Sequence, residues 1–167
     1  MTDILLIALA MSLLYMSIAN RMITYIHILL FQGILLFAIT YLTLDKVEPL
    51  NVAFIMLETI VFKAIAVPWF LNSLIKRNNI TREAEPFLPN FLSLIIVTLI
   101  IVISIILSSS VSSKLIDKTF FIVALSTLFS GLYLIVSRRK IITHVIGYLI
   151  IENGVFILSL AVGNEMP

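Results

Sequence analysis

Three ionisable residues stand inside long apolar runs of this 167-residue sequence: Glu58 and Lys63 in one run and Glu152 in another. Ionised side chains are costly in hydrocarbon, so they face a bundle interior, a partner charge or water, and they mark proton relays and ion paths. Glu58 and Lys63 are five positions apart, which on an α-helix is about 7.5 Å of rise and roughly 140° of rotation. That spacing suits a pair within one helix poorly, so each is expected to find part of its environment on another helix. The alternative for both is an embedded charge pair that fixes helix packing without carrying protons.

Glu152 lies in Gly147-Tyr148-Leu149-Ile150-Ile151-Glu152-Asn153-Gly154, where a carboxyl, an amide and small residues permit close helix contact and several hydrogen bonds. His144, Tyr148 and Glu152 follow at i, i+4 and i+8, a ladder that would guide a proton towards mid-helix. The plainer alternative is an interfacial histidine and a tyrosine that packs its ring. Gln32 and His27 are two more polar residues within an apolar run. An amide can join helices without titrating, and an isolated histidine can serve as a satisfied packing residue. Pro68, five positions after Lys63, has no amide proton to give the Ala64 carbonyl, which favours a bend and either shapes a polar path or only sets helix geometry.

The elements that position these residues follow from composition. Hydrophobic residues make up 61% of the chain and charged residues 12%, with a mean hydropathy of +1.18. A soluble fold would need polar elements to cover its longest apolar runs, and the sequence has none to spare. The lipid bilayer is therefore the covering. A net charge of +2, from eleven Lys and Arg against nine Asp and Glu, points to neither nucleic acid nor an anionic surface. The absence of cysteine excludes disulfides, thiolate chemistry and cysteine-ligated zinc or iron–sulfur centres. Two histidines without a ligand-spacing motif specify no metal site, and no phosphate loop or nucleophile motif is present. The chain itself is expected to hold no cofactor and to have no catalytic residue. Asp3 precedes the first apolar run without a basic n-region or cleavage pattern, so that run reads as a retained helix.

Six apolar segments emerge, at 4–19, 22–44, 50–74, 87–107, 119–136 and 141–162. Each is near the ~20 residues that cross a ~30 Å hydrocarbon layer, the first and fifth being short. Long unbroken runs without period-two alternation exclude a transmembrane barrel. The fold class is an all-α integral membrane bundle of about six helices in a single transmembrane domain, 1–167. Charges and turn formers separate the segments, at Asn20-Arg21, 45–49, 76–86, 108–118 and Arg138-Arg139-Lys140. Ser108-Ser109-Ser110 and Ser112-Ser113 read as a polar surface turn. The first and last helix pairs, each joined by a basic turn, loosely echo one another, through an internal repeat or the common pattern of helix starts.

With the amino terminus outside, the inner loops carry Arg21, Lys76, Arg77, Arg82, Arg138, Arg139 and Lys140, and the outer loops carry Lys46, Lys114 and Lys118. Basic residues translocate unfavourably, so both termini are expected outside an inner or plasma membrane.

Ser137-Arg138-Arg139-Lys140 before a helix with Gly147-Tyr148 and Glu152-Asn153-Gly154, together with the Leu57-to-Pro68 segment bearing Glu58 and Lys63, resembles the component E family of hydrogenase-4 and formate hydrogenlyase-type complexes. The resemblance spans all six segments. These small membrane proteins of energy-converting hydrogenases are related to the small K component of respiratory complex I and to the C component of multisubunit sodium/proton antiporters. In that wider family a basic turn precedes a helix bearing a mid-membrane carboxylate, which matches Arg138, Arg139, Lys140 and Glu152. Glu58 is the next residue to carry over, and Lys63 resembles the hydrogenase branch. Gln32 departs from the pattern, since it stands where the complex I component has a buried glutamate and cannot accept a proton as an ordinary base. The resemblance implies a proton-path or accessory subunit beside large antiporter-like proteins and a peripheral hydrogenase module, with the nickel–iron centre and iron–sulfur clusters in those partners. A structural helix adaptor and a small standalone transporter are the alternatives.

The topology has a direct check, because single cysteines can be introduced into a cysteine-free chain. An impermeant thiol reagent added outside should label the amino terminus and spare the Arg138-to-Lys140 turn; the reverse pattern would invert the orientation.

Overall fold

In the computed structural model, residues 1–43, 57, 61, 63, 65–77, 86–111 and 116–163 are described, and they are mostly helical, with no strand and only isolated bridge residues, at Arg21, Pro86 and Arg138. We label the helices α1 (Thr2–Ile18), α2 (Met22–Thr43), α3 (Val67–Arg77), α4 (Asn90–Ser110), α5 (Lys118–Ser137) and α6 (Ile141–Gly163). Among them α2, α4, α5 and α6 are each long and apolar enough to cross a membrane, while the apolar α1 is 17 residues long. The chain is thus a multi-pass membrane bundle. Glu58 lies outside the described residues, as do Lys46, Arg82 and Lys114.

Contacts across the helix ends fix how the elements alternate. At one end the Phe87 N–H donates to the Ser137 carbonyl at 2.9 Å, and Pro86 bridges Arg138. At the other the Asp117 N–H donates to the Ala161 carbonyl at 3.2 Å. Asp117 also caps α5, its Oδ1 accepting from the Thr119 and Phe120 amides at 2.9 and 3.3 Å, which supplies two of the donors a helix start leaves unpaired. The first end gathers Arg21, Lys76, Arg77, Arg138, Arg139 and Lys140, whereas among the described residues the opposite end holds Asp3, Asp117 and Lys118.

Two apolar layers make the core. Near the basic end Leu13, Met16, Tyr25, Leu29, Leu71 and Ile146 pack together, and near the other end Leu6, Leu9, Leu36, Ile39, Phe120 and Ile157 do so. Helix α4 flanks this core, adding Val97 to the layer near the basic end, and is exposed over most of its face, as Leu99, Ile103 and Ile106 illustrate. It turns Ser93, Val97, Ser104 and Ser108 inward, small side chains that let helices approach in a membrane. Ser93 also accepts from the Tyr133 hydroxyl of α5 at 2.8 Å.

Helices α5 and α6 are the most closely packed pair. A Cβ added at Gly147 would lie 2.9 Å from the Gly131 carbonyl oxygen and 2.6 Å from Ile135 Cγ1; one added at Gly131 would lie 2.8 Å from the Gly147 oxygen. Each glycine therefore admits the other's backbone, as small residues do at lipid-embedded interfaces.

Two expectations are corrected. Ser108-Ser109-Ser110 is the last turn of α4 and not a surface turn: Ser109 and Ser110 donate back to the Ile106 carbonyl at 2.6 and 3.4 Å, and Ser108 is buried. Serine hydroxyls that bond to their own helix remove the local cue for a turn. The same helix starts at Asn90, not near 87, because Phe87 is held in the contact with Ser137 and Pro89 occupies the N-cap.

The glycine contact predicts that Gly147→Val costs about 1–3 kcal/mol through overpacking. The thermal midpoint in detergent should fall by roughly 2–10 °C, while Leu132→Val on the lipid-facing side of α5 should leave it unchanged.

Candidate functional site at the bundle midplane

Glu152 is the twelfth of the 23 residues of α6, and Gln32 the eleventh of the 22 in α2. Both therefore sit at helix centre, about 16 Å from either end at 1.5 Å per residue. The two apolar layers stop on either side of this level, and polar side chains occupy it.

The inner part is neutral. Gln32 is fully buried, and its Nε2 donates to Ser12 Oγ at 2.9 Å. Its Oε1 accepts from Asn153 Nδ2 at 3.2 Å, and Ser12 Oγ donates onward to the Leu9 carbonyl at 2.6 Å. This chain of hydrogen bonds ties α6 to α2 and α2 to α1. The amide is suited to the position because it offers donors to one neighbour and an acceptor to the other at once.

The outer part is charged. Lys63 Nζ lies 3.3 Å from Glu152 Oε1, which joins the segment before α3 to α6. The Lys63 ammonium also sits 4.9 Å from the centre of the Phe156 ring, one turn beyond Glu152, within the range of a cation–π contact. The two partners differ in exposure: the Lys63 side chain is 11% exposed and that of Glu152 is 44% exposed. The expectation that Lys63 finds its environment on another helix holds, and its partner is Glu152.

Winding changes where Lys63 is placed. Val61, Lys63, Ile65 and Ala66 are wound as a π-helix, and α-helix resumes at Val67, just before Pro68. Pro68 lacks the amide that would continue the regular ladder, and single π turns within helices recur at functional sites.

The remaining candidates are dispersed. His144 Nε2 lies 2.9 Å from the Arg138 carbonyl oxygen, so the ring is tied to the turn that precedes its helix. Tyr148 is exposed on the outer face of α6, and among the described residues its hydroxyl has no hydrogen-bond partner. His27 lies on α2 away from the midplane chain, beside Trp69 and Asn72. No hydrogen bond between described residues joins His144 to Tyr148 or Tyr148 to Glu152. The described residues contain no group of three potential metal ligands.

Arg138 departs from its reading as an interfacial charge, for it is 1% exposed. Its Nη2 donates to the Ser17 carbonyl at 2.9 Å, in the last turn of α1, and its guanidinium lies 5.9 Å from the Tyr25 ring centre. A cation suits the negative end of a helix dipole. Tyr25 reinforces the same corner by donating to the Ala19 carbonyl at 2.8 Å.

Comparison with protein-family models, curated proteins and solved structures returned no match to this chain.

Replacing Gln32 and Asn153 singly and together by leucine should give a coupling free energy of about 0.6 kcal/mol, and no more than about 1.7, as for other hydrogen bonds between membrane helices. Reversible unfolding in detergent measures it; additive effects would show that the hydrogen bond does not join the two helices.

Proposed function

We propose that this chain is a membrane subunit of a redox-driven ion-translocating complex and that the Lys63–Glu152 pair is its contribution to the proton or coupling path. The observation that carries the reading is the placement of that pair: an ion pair at the centre of α6 whose Glu152 side chain is 44% exposed on the outer surface of the bundle. A carboxylate left bare to hydrocarbon is costly, so this surface requires water or a partner protein. A large antiporter-like protein packed here would cover Glu152 and place its own polar groups against it.

The charge-bearing helix is preceded by Arg138, Arg139 and Lys140, a pattern that resembles that of small membrane proteins of energy-converting hydrogenases. That resemblance supports a hydrogenase-linked complex whose nickel–iron and iron–sulfur centres belong to peripheral partners. The basic end described above then faces the cytoplasm, in keeping with the excess of Lys and Arg there.

A second reading, a non-conducting adaptor, draws support from the interior of the midplane layer. Gln32, Asn153 and Ser12 do not titrate near neutral pH, so among the described residues the buried chain is a tether, and the ion pair would then serve assembly alone.

Glu152→Gln separates the two. The substitution keeps size and hydrogen-bonding capacity but removes the exchangeable charge. In the reconstituted complex at matched abundance, the conducting role predicts intact assembly, continued redox turnover and at least tenfold less ion flux per turnover. Normal flux in Glu152→Gln, with lost assembly in Glu152→Ala, would establish the adaptor instead.

A further inference from the structure

A crevice of about 300 Å³ opens between α2 and the 65–77 segment, on the half of the bundle nearest the basic end. Ile23, His27 and Leu30 form one wall, at i, i+4 and i+7; Ile65, Trp69 and Asn72 form the other with the same spacing. His27 is five residues inside Met22, and Asn72 is five residues short of Arg77, so both lie about 7.5 Å below the helix ends. Trp69 is 72% exposed beside the opening. Above it stand Arg21, directly before α2, and Lys76 and Arg77, the last residues of α3. Lys76 follows Asn72 by one turn and so projects from the crevice side. Among the described residues no ion pair engages these three cations.

We propose that the crevice is a binding site for an anionic phospholipid, with part of one acyl chain between the two walls and the phosphate at Lys76, Arg77 and Arg21. Size argues against a helix as occupant: one helical turn with its side chains, ~10 Å across and ~5.4 Å tall, occupies on the order of 400 Å³. An acyl chain is thinner and matches the mainly apolar walls. His27 and Asn72 lie at the depth where ester carbonyls follow the phosphate, and both side chains can donate hydrogen bonds. An exposed tryptophan suits this interfacial level. Basic pockets between transmembrane helices select anionic head groups, each cation adding to the attraction. The site depends on the fold alone and is independent of whether Glu152 carries protons.

The test uses the full chain in vesicles of phosphatidylcholine containing a few per cent of a photoactivatable lipid, either phosphatidylglycerol or phosphatidylcholine. Phosphatidylglycerol should label the α2 and 65–77 walls in preference to phosphatidylcholine. Lys76→Gln and Arg77→Gln should each lower that preference roughly fivefold. Leu30→Trp, which fills the crevice from an exposed position, should abolish labelling there while circular dichroism stays unchanged. Equal labelling by both lipids would overturn the proposal. So would crosslinks at these walls to a co-purifying protein in place of lipid, or unchanged preference in the Lys76→Gln and Arg77→Gln variants with helicity intact.

Discussion

Hydrocarbon offers no hydrogen bonds, so a polar group carried into it must find its partner within protein. The bundle is arranged around that requirement. Several hydroxyls meet it within their own helix: Thr40 donates to the Leu36 carbonyl, Ser104 to Ile100 and Thr127 to Val123, each at 2.7–2.8 Å. Longer side chains meet it between helices, and in doing so set which helices are neighbours. Gln32 holds α1 and α6 against α2, Arg138 holds α1 against the start of α6, and Lys63 holds the segment before α3 against α6.

The two halves of the ion pair rest on unlike supports. Glu152 belongs to α6, which is locked to α5 by glycines whose backbones nearly touch, so its carboxyl is carried by a tightly packed frame. Lys63 belongs to a turn of widened winding ahead of a proline. Conversion between π and α winding shifts the facing of residues on such a turn. The lysine is thereby the partner whose position local backbone changes can adjust.

Much of this was legible beforehand because hydrophobic runs report helices directly. The approximate limits of the first two and last two helices, the alternation of basic and less basic ends and the central placement of Gln32 and Glu152 follow from spacing along the chain. Pairing between distant segments does not. Lys63 has its nearest carboxyl by sequence at Glu58, which lies outside the described residues, yet its ion-pair partner Glu152 is 89 positions away. Ser12 gave no signal, since a lone serine in an apolar run usually bonds to its own helix; it does so here and accepts from Gln32 as well. Arg138 looked like a loop residue because its neighbours Arg139 and Lys140 do, and nothing local distinguishes the one that turns inward to the end of α1.

The central depth of Glu152 also has an electrical meaning. While Lys63 and Glu152 are both ionised, the pair has no net charge, and a membrane potential acts on it only as a dipole. A proton added to Glu152 leaves one positive charge halfway across the hydrocarbon. Moving a unit charge through the full membrane is worth about 2.3 kcal/mol per 100 mV, so reaching this level from either face involves about half of that. A unit charge at this level therefore feels about 1.2 kcal/mol per 100 mV of membrane potential, with a sign set by the face from which it is reached.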